Sequence, residues 1–526
     1  MKIRLLAPAE LQHALHDGKE IALLDVREDG EFGEDHLLFA TPLPYSRLEL
    51  GIAPLVPRKN VRIVLCDDGA SGVAQRAAAR LAAAGYSDLA VLDGGARGWK
   101  AAGYPLFKGV NVPSKLFGEL VEHAYNTPRI TAADLVKMRE SGEDFALFDG
   151  RPVHEHHKMT IPGSTCCPNA ELPYRVASMV KNPKTKIIVN CAGRTRSILG
   201  AQTLINFGVP NPVYALENGT QGWFLSDLQL EYGSARQYPE QVDAAALPAQ
   251  QQAARALMQR FGVRTAAADE VAGWLNDGSR TTYLCDVRTP EEFAAGSLPG
   301  AQHTPGGQLI QATDQWVGVR NARIVLIDGG DMVRAPVVAS WLLQLGCDAC
   351  VLEGGVNAKL AARPPEAPVL PDLPSISAVE LRSMLEKRSC TAFDVGPSMA
   401  YRKAHVPGSR WSIRTRIAKD AEGAQTPVVL IGDADVARLA ATELLDSGIS
   451  DLQLFEGGVA AWERAGLAAE STPDTPADRE CIDYLFFVHD RHAGNREAMK
   501  QYLAWETGLM AQLGEQDKAV FRLPAH

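Results

Sequence analysis

Lys186 to Gly208 reads KIIVNCAGRTRSILGAQTLINFG. A short β-branched run ends at Cys191, a loop containing Gly193 follows, and a segment of helical period then runs to a glycine of the kind that closes a helix. This is strand, loop and helix in succession, with a thiol at the end of the strand and at the mouth of the helix. Ligands gather there in open α/β sheets. Successive N–H groups in such a loop, with a helix N-terminus behind them, cradle an anion and favour a thiolate, and Arg194 and Arg196 add cations. Gly193 is expected to let the backbone turn tightly.

Around this stretch lies a unit written four times. It opens with an apolar strand ending in Asp: ALLDVRE at Ala22 to Glu28, ALFDGRP at Ala146 to Pro152, YLCDVRT at Tyr283 to Thr289 and AFDVGPS at Ala392 to Ser398, with Asp25, Asp149, Asp286 and Asp394 at the strand ends. Pro-Gly turns follow around Pro162, Pro299 and Pro407, with a degraded version near Pro42. A second apolar run ends at Cys66, Cys191, Ile327 or Ile431, which places Cys66, Ile327 and Ile431 opposite Cys191. Helical segments then stop at Gly85, Gly208, Gly346 and Gly448, and a glycine-rich turn leads to Trp99, Trp223, Leu360 or Trp462.

Strands alternating with helices at this spacing imply crossover units and a mostly parallel sheet. The chain therefore reads as four small α/β domains at 1–108, 129–232, 261–363 and 375–470. Between them lie linkers at 109–128, 233–260 and the Pro-rich 364–374, and a helical extension follows at 471–526. In that extension REAMKQYLAWETGLMAQLGE has the pattern of an amphipathic helix that docks on a neighbouring domain or a second subunit.

Length and composition agree: 526 residues exceed one core, and 46% hydrophobic with 22% charged residues is the balance of packed domains. A net charge of −10 argues against a protein whose main partner is nucleic acid or an anionic membrane. MKIRLLAPAELQHALHDG at the N-terminus does not resemble a secretory signal, and no stretch approaches the ~18–20 apolar residues of a membrane span, so neither is expected. Nine cysteines are too sparse for a disulfide scaffold, so a cytoplasmic location is expected and any special cysteine is expected to be chemical. There is no P-loop and no dinucleotide fingerprint, and no cofactor is expected.

The Asp-ended strand, the Pro-Gly turn, the Cys-x-x-x-x-Arg loop and the GGxxGW turn together resemble the rhodanese (sulfurtransferase) family. The resemblance implies a parallel five-stranded sheet flanked by helices in each of four tandem domains. It also implies that a cysteine thiolate attacks the outer sulfur of a donor such as thiosulfate, and that the resulting persulfide passes its sulfur to cyanide or a thiol. Cys191 is then the nucleophile. Ala192, Gly193, Arg194, Thr195, Arg196 and Ser197 hold the persulfide and the departing sulfite, with the two arginines bonding its oxygens. Related phosphatases and arsenate reductases carry one more residue between Cys and Arg, which suits a tetrahedral phosphate, whereas the shorter loop suits a single sulfur atom.

The remaining copies depart from this pattern. CDDGASG puts Asp67 and Asp68 where a cation is wanted, so Cys66 is a secondary candidate and more in keeping with a buried strand end. Copies three and four, without a cysteine there, are expected to be structural, with Arg334 and Arg438 at surface or helix-capping positions. Cys166 and Cys167 are candidate resolving thiols, with core packing as the competing reading. Asp149 and Arg151 are expected to brace the domain. Cys347 and Cys350 are assigned to the core, and His154 to His157 to a solvated turn or one wall of the Cys191 pocket, with no metal at either. Trp99, Trp223 and Trp462 are expected to be core or hinge aromatics.

The expected function is a sulfurtransferase with one working site, acting on small sulfur-containing anions and thiols. Two alternatives stay open: a non-catalytic scaffold or sensor of such anions, and a relay to a sulfur-acceptor protein. A homo-oligomer is compatible with either.

Overall fold

A computed structural model describes residues 3–489 and 494–524. Three sheets of five strands and one of four are formed, parallel throughout. In the second copy the strands run in the spatial order Arg129–Ile130, Val213–Leu216, Lys186–Asn190, Phe145–Asp149, Thr165–Cys166. Lys186–Asn190 is therefore central, and its Ile187, Ile188 and Val189 are buried, as a parallel strand covered on both faces requires. The fourth sheet lacks its outer strand, which is reduced to a single bridge between Ser375 and Leu454.

The repeated motifs have local causes. Trp99, Trp223 and Trp462 are buried, and each donates its indole N–H to a carbonyl six residues on, at Pro105, Gln229 and Ala468, which closes the copy. Asp149 receives two bonds from Arg151 Nε, one from its terminal nitrogen at 2.6 Å and one from Thr160, and Arg151 also reaches the Met159 carbonyl. Asp25 with Arg27 and Asp286 with Arg288 repeat this brace. Asp394 has only the Gly396 amide in that place.

Two of the three expected linkers carry helices. Val112–Tyr125 packs along Thr195–Phe207, and Leu247–Phe261 packs on Arg334–Gln344. Only the Pro-rich 364–374 is without regular structure.

The chain divides into two compact units: Met1–Gln12, Ala22–Val110 and Glu366–His489 form one, and His13–Ile21, Asn111–Pro365 and Asp490–His526 the other. In the first, copies one and four meet through Arg414, which pairs with Glu49 and Glu443, while Tyr45 donates to Glu443. In the second, copies two and three meet where Trp341 Nε1 donates to Thr203 at 2.8 Å. The C-terminal helix Arg496–Gly508 joins this second unit, burying Met499, Tyr502 and Glu506.

Candidate active site

Cys191 is the residue after the central strand Lys186–Asn190 and is 2% exposed. Arg194 caps the helix Thr195–Phe207 that follows. The Ser197 hydroxyl, one turn into that helix, donates to Cys191 Sγ at 3.1 Å. Among the described residues no acceptor sits on the N–H groups of Gly193, Arg194 or Thr195, so the helix start presents its amides to the loop.

The loop is tied down from the other side. Thr220 N–H donates to the Cys191 carbonyl and Gln221 N–H to the Ala192 carbonyl. A Cβ on Gly219, which has φ +50°, would lie 2.1 Å from the Cys191 carbonyl oxygen, and this contact is why the turn before Trp223 needs glycine. Gly193 differs from expectation, because its φ is not positive. A Cβ there would come 3.0 Å from Glu506 Oε2 and 3.6 Å from Gln221 Nε2, so space is what glycine provides.

Both loop arginines are already paired. Arg194 makes two bonds to Glu119, at 2.7 and 2.9 Å, and also bonds Glu122, both carboxylates coming from the Val112–Tyr125 helix. Arg196 forms a two-pronged pair with Glu155 at 2.7 and 2.8 Å. Burial alone would raise the Glu155 carboxyl, but the charge and hydrogen bonds of Arg196 outweigh it and hold the group at about 2. Glu506 accepts from Thr195 Oγ1 at 2.8 Å and from Lys115 Nζ at 3.1 Å. The cradle thus offers neutral donors, and its nearby cations are locally compensated.

Residues 7–102, 131–226, 267–362 and 377–465 each match the model of the rhodanese-like domain. The chain belongs to the rhodanese-like family. It is similar over 99% of its length to 99% of a crystal structure described as a thiosulfate sulfurtransferase from Pseudomonas aeruginosa, with 42% identity and a TM-score of 0.92. It is also 33% identical over 115 residues to an uncharacterized protein, slr1261, of Synechocystis sp., a match spanning 22% of this chain and 62% of that relative.

Strand register corrects the alignment of the other rhodanese-like copies. Asp149 lies opposite Asn190, Asp25 opposite Cys66, Asp286 opposite Ile327 and Asp394 opposite Ile431. Cys66, Ile327 and Ile431 therefore correspond to Asn190, and Asp67, Asp328 and Gly432 stand where Cys191 stands. Burial pushes the Cys66 thiol well above its ordinary range, with Asp25 next in effect, and the thiol donates to the Asp67 carbonyl. Asp67 takes N–H groups from Gly69 and Ala74, and Asp328 takes them from Gly329, Arg334 and Ala335. In these copies a carboxylate fills the cradle.

Of the two places expected for Arg334, surface or helix cap, it is not at the surface; it is the first residue of the helix Arg334–Gln344, its N–H bonded to Asp328. It is 1% exposed and bonds Asp328, Glu171 and Glu292. Arg438 does pair locally, with Asp435. Cys166 and Cys167 are both buried; burial raises Cys166 to about 12 and Cys167 well above its usual range, and Cys166 Sγ donates to the Arg151 carbonyl. These are features of packed thiols. Cys350 lies in the third core as expected, whereas Cys347 is only half-buried and is not one of that core's residues; burial raises each thiol to about 11. In the run His154 to His157, Glu155 faces Arg196 while His156 and His157 bond the carbonyls of Ser164 and Ser234. Among the described residues no cluster of metal-binding side chains is present, and no helix is long and apolar enough to cross a membrane.

Glu119, Glu122 and Glu506 have no counterpart in the reading of the sequence. The first two lie in the segment expected to be a linker, and Glu506 interrupts the apolar face of the helix Arg496–Gly508, the one local sign that this face meets something polar.

Proposed function

We propose that the chain transfers sulfane sulfur from thiosulfate or a persulfide donor to a thiol or cyanide through a persulfide on Cys191. The observation that carries this reading is a thiol at a helix N-terminus with a hydroxyl 3.1 Å from its sulfur, in the one copy of four that has a cysteine at this position. The likeness along the whole chain to a protein described as a thiosulfate sulfurtransferase supports it.

In the first half-reaction the Cys191 thiolate attacks the outer sulfur of thiosulfate. A new S–S bond forms, and the old one breaks with its electron pair leaving on sulfite. The loop amides and the Ser197 hydroxyl receive the negative charge that moves through the loop. In the second, the acceptor attacks the terminal persulfide sulfur and Cys191 leaves as thiolate, ready for another cycle. Because Arg194 and Arg196 are paired with carboxylates, the amides, more than the guanidinium groups first assigned to the sulfite oxygens, carry anion recognition.

Intact mass after thiosulfate alone, alongside sulfite release with thiosulfate and cyanide, tests the reading. The wild type should gain one sulfur and turn over, and Cys191→Ser should do neither. Loading that survives the substitution sinks the proposal.

A further inference from the structure

We propose that Gln221, outside the loop, is the residue that grips the oxyanion end of the donor, so that the site selects a sulfonate-bearing donor such as thiosulfate. This deepens the Cys191 reading and rests on it. Gln221 lies on the short helix Gly219–Leu225, whose backbone is bonded to the loop through the Ala192 carbonyl. Its side chain is 3% exposed, and among the described residues neither Oε1 nor Nε2 has a hydrogen-bond partner. A buried amide with both ends unsatisfied costs free energy unless something supplies the partners. Nε2 lies 3.6 Å from where a Cβ on Gly193 would be, so the amide stands directly against the loop at Gly193, beside Glu506.

Other copies use the same position to meet their own loops. Arg97, the equivalent in copy one, pairs with Asp68 of the loop at 3.1 Å. Asn357, in copy three, has its Nδ2 3.3 Å from a Cβ built on Gly330. In those copies a carboxylate already fills the cradle; in copy two, as in copy three, the position carries a neutral amide, but here the cradle begins with a thiol. Attack of Sγ on the outer sulfur leaves the three sulfonate oxygens on the far side of that sulfur, over the loop. The loop arginines are compensated and Glu506 borders the same space, so a bare dianion needs a neutral donor there. Nε2 of Gln221 supplies one.

The test compares two donors in single-turnover loading followed by intact mass: thiosulfate, and a small alkyl persulfide whose leaving sulfur carries no oxygens. Gln221→Ala should slow loading from subsaturating thiosulfate about tenfold, the loss of one hydrogen bond to a charged group, and leave the alkyl persulfide rate within about twofold. Gln221→Glu should lose more with thiosulfate and still load from the alkyl persulfide, which also reports that the variant is folded. Equal loss with both donors, or unchanged thiosulfate loading, overturns the assignment. Wild type that loads from the alkyl persulfide alone also overturns it while the Cys191 persulfide stands, and wild type that loads from neither overturns both.

Discussion

Asp67 stands in the first copy where Cys191 stands in the second. Each follows the strand residue paired with the brace aspartate, and the carbonyl of each accepts the N–H of the second residue in the next short helix, Ala96 or Thr220. The side chains differ in what they do with the helix start. Asp67 turns its carboxylate onto the Gly69 and Ala74 amides, so the cradle is satisfied from within, whereas among the described residues the Gly193, Arg194 and Thr195 amides after Cys191 have no acceptor.

Cys66→Ser should therefore leave sulfur loading and turnover at wild-type levels, since this thiol lies in the sheet and outside the cradle. Asp67→Ala should leave turnover unchanged too, but remove a helix-capping carboxylate at a cost of about 1–2 kcal/mol. Urea unfolding together with sulfite release separates the two effects. Loss of loading in Cys66→Ser would show a second working thiol.

Gly193→Ala should impair the site through contact, because the glycine φ is ordinary and the new methyl meets Glu506 at 3.0 Å. Overpacking of this kind costs about 1–3 kcal/mol. Adding Glu506→Ala should recover part of the lost turnover by removing the obstructing carboxylate. A double variant no better than Gly193→Ala alone would mean that the loop itself does not tolerate the methyl.

The architecture is legible in the sequence because each copy restates it locally: an Asp closing a strand, a glycine closing a helix, a tryptophan whose indole reaches six residues ahead. Register is less legible. Cys66, Ile327 and Ile431 are apolar and end their runs as Cys191 ends KIIVNC, while the true strand end of the second copy, Asn190, is polar and hides inside that run. A strand's last residue is fixed by its neighbour across the ladder, and only the pairing with the brace aspartate shows which residue leaves the sheet. The carboxylates around the site are hidden for a related reason. Glu119, Glu122 and Glu506 lie roughly 70 to 310 positions from the loop residues Arg194 and Thr195 that they bond, a distance at which composition and periodicity carry no information.

The brace aspartates should respond to pH with opposite sign. Burial works against the charge of Asp149, but the Arg151 guanidinium, the Thr160 hydroxyl and the Arg151 N–H hold its pKa below the usual range, so its contribution is complete above about pH 4 and lost as pH falls. Asp394 lacks the arginine, and burial raises it to about 6. Its contribution is complete below about pH 4 and lost as pH rises through 6, a change of about 3 kcal/mol. Unfolding of wild type and Asp394→Asn at several pH values from 4.5 to 7.5 reads this directly: the variant should gain on the wild type as pH rises. A difference that does not vary with pH would place a compensating charge beside Asp394.

Glu155→Gln should strengthen thiosulfate binding. The carboxylate neutralises Arg196, whose charge acts on Cys191, and the isosteric amide keeps one hydrogen bond while releasing the full positive charge toward the loop. KM for thiosulfate should fall severalfold with kcat little changed, and the gain should shrink as salt screens the added field. In the wild type this switch is never thrown by acid in the working range: with Glu155 held at about 2, the carboxylate stays charged and Arg196 stays paired at every pH above about 3. A rise in KM instead would mean that the pair's first duty is to hold the Arg196 backbone, whose carbonyl also accepts a bond from Asn169, in the position that shapes the cradle.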